Sequence, residues 1–217
     1  MVFYRTKPLK TIDNNDVIQY NNEYILSNNL SASYQNQIVN AIKLFFKTIR
    51  ETKIDVEKIH RPKRSKVLPN VLSKEDVFKI IDVTTNLKHK TLLALTYSSE
   101  LRISEALSIK STDIDSIRIL IHVKNAKGKN YRYTLLSAKV LLLLREYYSV
   151  YKPTEYLFEG QYGGQYSSRS AQVVLQESAK KAGVAKRSSL HTLRHSFATH
   201  LLESPNRFAL HTRIVRT

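Results

Sequence analysis

This sequence predicts a mainly α protein built of two helical modules, the second carrying a β-hairpin. Three observations carry that expectation. Apolar residues recur at helical spacing along most of the chain. The period changes to strict alternation only around residues 117–135. A basic, proline-containing stretch, Arg61 to Asn70, interrupts the helical runs and reads as a linker.

The first module, over 1–60, opens with a helix that Asp13 or Asn15 can cap, carrying Val17, Ile18, Tyr20, Tyr24 and Ile25. Asn28-Asn29 ends it, and Ser31 or Ser33 opens a longer helix. There Tyr34, Ile38, Ala41, Ile42, Phe45, Phe46 and Ile49 form a wide apolar stripe. Lys43, Lys47 and Arg50 lie on the opposite face, with Lys53 and Lys58 beyond. Such charges are ordinarily a solvated face. In a chain this basic they fit phosphate contact better, together with Arg61, Lys63, Arg64 and Lys66 of the linker.

The second module, over 71–204, starts at Ser73-Lys74-Glu75-Asp76, a near capping box. An apolar helix over Lys90 to Ser98 follows. A turn at Ser98 to Glu100 leads to a helix over Leu101 to Ile109, with Leu101, Ala106 and Leu107 inward. Ile117, Ile119 and Ile121 then alternate with Arg118, Leu120 and His122. Past a Lys127-Gly128-Lys129-Asn130 turn, Tyr131, Tyr133 and Leu135 alternate in the same way. Helices follow around Leu141 to Tyr148 and from a cap at Ser168 to Gly183.

Composition bounds the partner. Lys plus Arg number 35 against 18 Asp plus Glu, a formal charge of +17 over 217 residues. That excess calls for a polyanion, with nucleic acid ahead of a membrane surface, because no apolar run reaches the roughly 20 residues of a spanning helix. No signal peptide is visible, and the absence of cysteine excludes disulfides, thiol catalysis and Cys-ligated zinc. The expectation is a soluble, cytoplasmic protein that binds double-stranded DNA.

His191 to Leu201 concentrates the chemistry. Leu193, Phe197 and Leu201 share one helical face, while His191 and Arg194, at i,i+3, share another. An imidazole beside a guanidinium fork suits an oxyanion, phosphate above all. The plain alternative is a helix end with His191 capping and Arg194 solvated. Arg102 and Glu105 read by themselves as an i,i+3 surface ion pair, and Lys127 and Lys129 as a solvated turn. His191, His195 and His200 raise the question of zinc, but the residues between them hold no general-base Glu, so no metal or other cofactor is expected.

The order of these motifs carries a resemblance. Leu101-Arg102-Ile103-Ser104-Glu105-Ala106-Leu107, then Lys127-Gly128-Lys129 leading to Tyr133-Thr134-Leu135-Leu136-Ser137, then His191 to His200, resemble the tyrosine recombinase (phage integrase) family. The resemblance runs from about Asn14 to Ser204. It implies a SAM-like, core-binding helical domain followed by an α+β catalytic domain with its hairpin. It also implies DNA strand breakage and rejoining through a 3′-phosphotyrosyl intermediate, on DNA-bound homo-oligomers. By the resemblance Arg102, Lys127, His191 and Arg194 take the active-site roles, with Lys129 on the same turn as Lys127. Chemistry agrees: two Arg forks offset charge gathering on the attacked phosphate, Lys127 can protonate the departing 5′ oxygen, and His191 can accept or share the nucleophile's proton.

Two departures from the family stand out. Glu100 occupies the place where the family usually has Gly, and a left-handed turn there would strain Glu by about 1 kcal/mol. After the His-x-x-Arg helix the family continues to a Leu-Gly-His and a tyrosine nucleophile. Here Ser204 is followed by Pro205 to Thr217, with no tyrosine after Tyr166 and without the family's last active-site His or Trp. One codon assignment for Arg207 to Thr217, read one base later, spells Asp-Leu-Arg-Phe-Ile-Gln-Glu-Leu-Leu-Gly and then His or Gln. The sequence thus predicts a frameshift near Ser204 to Asn206, a tail over 205–217, and a chain that binds DNA without cleaving it. The alternatives are a tyrosine supplied by another subunit and a non-catalytic DNA-binding regulator.

Overall fold

Capping chemistry starts most of the helices. The computed structural model describes residues 7–8, 11–28, 30–48, 70–126 and 130–203. Two compact units divide the chain, Met1–Val67 and Leu68–Thr217. Arg50, Lys53, Lys58, Arg61, Lys63, Arg64, Lys66, Lys127, Lys129 and the 205–217 tail lie outside the described residues.

In the first unit α1 (Asn14–Tyr20) begins at Asp13, whose Oδ1 accepts the Asp16 N–H at 3.0 Å while Asp16 Oδ2 accepts the Asp13 N–H at 2.8 Å. This reciprocal box satisfies two helix-end donors. The helix continues as a π-helical turn over Asn21–Leu26. Ser31 Oγ accepts the Tyr34 N–H at 3.3 Å at the start of α2 (Ala32–Thr48). The buried stripe of α2 is Gln35, Val39 and Phe46, with Ile42 and Phe45 packed beside it. That is a rotation from the predicted stripe: Tyr34 is 51% exposed and Ala41 is exposed as well. Lys43 and Lys47, one turn apart, are exposed.

The second unit is arranged around α4 (Leu87–Ser98), buried on every side from Thr91 to Ser98. A helix apolar all round belongs in a core, and α4 touches α3 (Lys74–Asp82), α5 (Ile103–Ser108), α6 (Ala138–Tyr151), α7 (Ser168–Lys181) and α8 (Leu190–Glu203). Ser73 caps α3 by accepting the Asp76 N–H. Ser167, rather than Ser168, caps α7, since its Oγ accepts the Ser170 N–H at 2.9 Å. Gly183, at φ 69°, closes α7 in a left-handed turn, with the Val184 N–H donating back to the Ala179 carbonyl.

The sheet is antiparallel, in the order β1 (Ile114–Asp115), β2 (Leu120–Ala126), β3 (Asn130–Leu135). Its first long strand begins at Leu120, later than the alternation at Ile117 predicts. Asp115 Oδ1 accepts the amides of Ile117 and Arg118 at 3.1 and 2.9 Å, which turns the chain and leaves Ile117 93% exposed. Ile121 pairs with Thr134, His122 with Tyr133 and Val123 with Arg132. One face of the hairpin therefore carries His122 stacked on exposed Tyr133; the other carries buried Ile121 and Val123 with Arg132.

Where the chain enters this unit it is fastened to α8 and the loop before it. The Leu72 N–H donates to Ser196 Oγ at 2.9 Å, and Ser196 Oγ donates to the Thr192 carbonyl at 2.8 Å. Asn70 Nδ2 donates to the Arg187 carbonyl at 2.8 Å, and Lys186 Nζ to the Val71 carbonyl at 3.1 Å.

Candidate phosphate-binding site

The turn between α4 and α5 sets the first basic group. Glu100 has φ 50°, the left-handed conformation anticipated for the position where a glycine would be at ease. Immediately after it Leu101 is buried and Arg102 becomes the N-cap of α5. Glu105, at N3, accepts the Arg102 backbone N–H on Oε2 at 2.8 Å and the Arg102 Nη1 donor on Oε1 at 2.9 Å.

The Arg102–Glu105 pair is thus not the surface pair its spacing implies by itself, because Glu105 is only 3% exposed. A third group enters from β3: Arg132 Nη2 donates to Glu105 Oε2 at 2.7 Å. Burial pushes the Glu105 carboxyl up, but the bonds from Arg102 and Arg132 and the Arg132 charge outweigh it and hold the group below the usual range. Two guanidinium groups around one carboxylate leave a net positive charge. Sequence reasoning missed Arg132; the signal was its place on the face of β3 opposite Tyr131 and Tyr133, in register with buried Val123. Thr134 Oγ1 also donates to the Ser99 carbonyl at 2.9 Å, so β3 is tied both to the α4–α5 turn and to α5.

α8 supplies the rest. Ser189 caps its start, accepting the Thr192 N–H on Oγ at 3.0 Å, so His191 does not serve as the cap. Leu193, Phe197 and His200 point into the core, which leaves His191 exposed and Arg194 half-buried on the other side. The His191 and His195 rings meet edge to face, Nε2 to Nε2 at 2.8 Å. His200 has no part in that pair: its Nδ1 lies 2.9 Å from the buried Tyr97 hydroxyl. Among the described residues no group of three or more His, Cys, Asp or Glu is placed to hold a metal ion.

His191 reports how the elements converge. Its proton affinity is lowered by burial first, then by His195, and then by the positive charges of Arg194 and Arg102. Arg102 from α5 and Arg194 from α8 therefore both act on one imidazole, although 92 positions separate them in sequence (194 − 102). An imidazole with lowered proton affinity, in the field of two guanidinium charges, is a combination that suits a tetrahedral oxyanion. Of the basic residues predicted for it, His191 and Arg194 lie one turn apart on α8, Arg102 caps α5 and acts on His191 through its charge, and Lys127 lies outside the described residues.

Residues 70–207 match the family model described as the phage integrase family, which is more than half of the chain. This chain belongs to the phage integrase family. Residues 1–56 of this integrase-family chain match a second model, the phage integrase N-terminal SAM-like domain. A putative integrase/recombinase of Sinorhizobium fredii is 39% identical over 76% of the chain and 54% of its own length. Tyrosine recombinase XerA of Pyrococcus horikoshii is 32% identical over 77% of the chain and 59% of its own length. The integrase-family chain thus spans little more than half the length of these relatives. Its fold matches that of XerH bound to a palindromic difH substrate, with a TM-score of 0.74 at 22% identity over 94% of this chain and 65% of that one. A lambda integrase dimer bound to a core site matches with a TM-score of 0.71 at 16% identity, over 97% of this chain and 80% of that one. The mainly α architecture with a small antiparallel sheet is that of the recombinase structures. Among the described residues no helix is long and apolar enough to cross a membrane.

Proposed function

We propose that this chain binds duplex DNA and holds one phosphodiester between Arg102 and Arg194, the phosphate-gripping part of a tyrosine-type strand exchange. What supports this reading is the Arg102 guanidinium, 45% exposed with one bond to buried Glu105, and Arg194 one turn from exposed His191 on α8, with both charges lowering the proton affinity of His191. In that exchange a tyrosine oxygen attacks the phosphorus, a 3′-phosphotyrosyl bond forms and the 5′ oxygen departs. Arg102 and Arg194 neutralise the non-bridging oxygens as charge gathers there. His191, held neutral, takes or shares the tyrosine proton, and Lys127 delivers a proton to the 5′ oxygen. Lys43, Lys47, Arg50 and the linker cations Arg61, Lys63, Arg64 and Lys66 contact further backbone phosphates. The reading includes several copies on one DNA, as in the lambda integrase tetramer bound to a Holliday junction. It places the work on DNA inside the cell.

Filter binding to duplex DNA tests it. Affinity should fall roughly a thousandfold between 50 and 200 mM salt if about six phosphates are contacted. Arg102→Ala and Arg194→Ala should each weaken binding without changing sequence preference. A titration flat in salt, or binding indifferent to both substitutions, would overturn the reading.

A further inference from the structure

The resemblance assigns a role to Arg102 and none to the β3 residue bonded to its partner. Glu105 has two carboxylate oxygens, and three donors divide them unequally. Oε2 accepts from the Arg102 backbone at 2.8 Å and from Arg132 Nη2 at 2.7 Å, whereas Oε1 accepts from Arg102 Nη1 at 2.9 Å. Arg and carboxylate ordinarily close a two-pronged pair, with two parallel N–H···O bonds. Here Arg132 occupies the oxygen that such a pair would need. Among the described residues the Arg102 guanidinium makes a single hydrogen bond, through Nη1, and its other donors stay available on a side chain 45% exposed.

We propose that Arg132 is a positioning residue for Arg102: by holding Glu105 Oε2 it keeps the Arg102 guanidinium from folding onto the carboxylate and turned instead toward a phosphate. Arg132 is well placed for this. It sits on the inward face of β3, which Thr134 fastens to the Ser99 carbonyl, so its own position is fixed by the sheet. Its charge also helps keep Glu105 ionised in a buried position. The base of the hairpin thereby sets the geometry of the first arginine. Without Arg132, Glu105 would be free to pair with Arg102 through both oxygens, and a phosphate would have to compete with that pair.

This inference rests on the phosphate-binding reading, and its test separates the two. Arg132→Met removes donor and charge at similar length; Arg132→Gln removes the charge and keeps an N–H donor. Side-chain NMR of the Arg102 guanidinium, recorded on the full chain without DNA, should show displaced resonances in Arg132→Met and near-native ones in Arg132→Gln. Duplex affinity should fall on the order of tenfold in Arg132→Met, as for a lost charge-assisted bond, and far less in Arg132→Gln. The slope of log affinity against log salt should stay unchanged in both. A slope reduced by about one would make Arg132 a direct phosphate ligand and overturn the proposal. Unmoved Arg102 resonances in a folded Arg132→Met would overturn it too. Should Arg132→Met fail to fold, Arg132→Gln alone decides, since equal loss of affinity and slope there contradicts positioning. If the unaltered chain binds no DNA, the phosphate-binding reading fails, while the DNA-free resonances still decide the role of Arg132.

Discussion

His191 and His195 face each other across one turn of α8 with their Nε2 atoms 2.8 Å apart, a separation at which one nitrogen must donate and the other accept. With Nε2 of His191 engaged by His195, Nδ1 of His191 is the nitrogen left for a ligand. Burial, His195 and the charges of Arg194 and Arg102 all act against a second proton on His191. Titrated by histidine NMR, His191 should therefore show a midpoint below the ordinary value of 6.5. Arg194→Ala should move it upward. A midpoint at or above the ordinary value would contradict the convergence of the two arginines.

Stability should follow the same sign. His89, His191 and His200 all have lowered proton affinity, burial being the largest cause in each. His89 accepts or donates at Tyr166 across 3.1 Å, with Lys88 beside it; His200 contacts Tyr97 and the Leu72 backbone, with Lys74 opposing and Glu75 and Glu203 favouring a proton. Unfolded imidazoles bind protons from about pH 6.5 downward, whereas the folded ones resist until lower pH. The histidine contribution is thus complete above about pH 6.5 and is lost as pH falls through the folded values. Urea unfolding at about pH 7.5 and 5.5 should show the lower stability at the acid end, with a smaller difference in His200→Gln. Equal midpoints at the two pH values would refute this.

Glu100 offers a stabilising substitution. Its φ of 50° costs an L-residue about 1–2 kcal/mol. Glycine removes that strain but loses roughly 0.4–1 kcal/mol through its freer unfolded chain. Glu100→Gly should therefore be neutral to stabilising by up to about 1 kcal/mol, and Glu100→Val destabilising. Denaturant midpoints for the three chains decide it; a Glu100→Gly chain less stable than the parent would show that Glu100 has a partner worth more than the strain.

The 217-residue chain by itself should form no covalent adduct with DNA. In-line attack needs a tyrosine oxygen within roughly 3–3.5 Å of the phosphorus. Tyr97 and Tyr147 are buried and bonded to His200 and the Leu157 carbonyl, and burial raises both phenols well above their usual values. Tyr166 bonds to His89 with Lys88 over its ring, and Tyr162 is 96% exposed on a glycine-rich loop. No tyrosine lies between Tyr166 and Thr217. A nicked suicide substrate run on a denaturing gel provides the measurement, with Arg194→Ala as control. A shifted band that the control abolishes would reveal a working tyrosine.

Local chemistry was legible in the sequence, and long-range packing much less so. Asp13 and Ser73 could be assigned as caps because their partners lie three residues away. The left-handed turn at Glu100 was readable because the resemblance puts a glycine at that position. Ile117 misled because alternation is blind to Asp115 capturing two amides and bending the chain out of the sheet. In α2, apolar residues on both sides of the true seam made two adjacent stripes equally plausible, and packing against Val17 selects the one through Val39. Glu105 looked exposed because the strand that buries it returns 27 residues later, and the same separation concealed Arg132. Similarly, nothing in the spacing of His191, His195 and His200 tells that the third turns inward to Tyr97.

The fastening of residues 70–72 has a mechanical consequence. A pull applied at Asn70 would not stop at that residue. It is delivered through Leu72 to Ser196, two positions after Arg194 and five after His191 on the same rod. Ser196→Ala would remove the direct bond to the rod, leaving the bonds of Asn70 and Val71 to the loop before it and every cation in place.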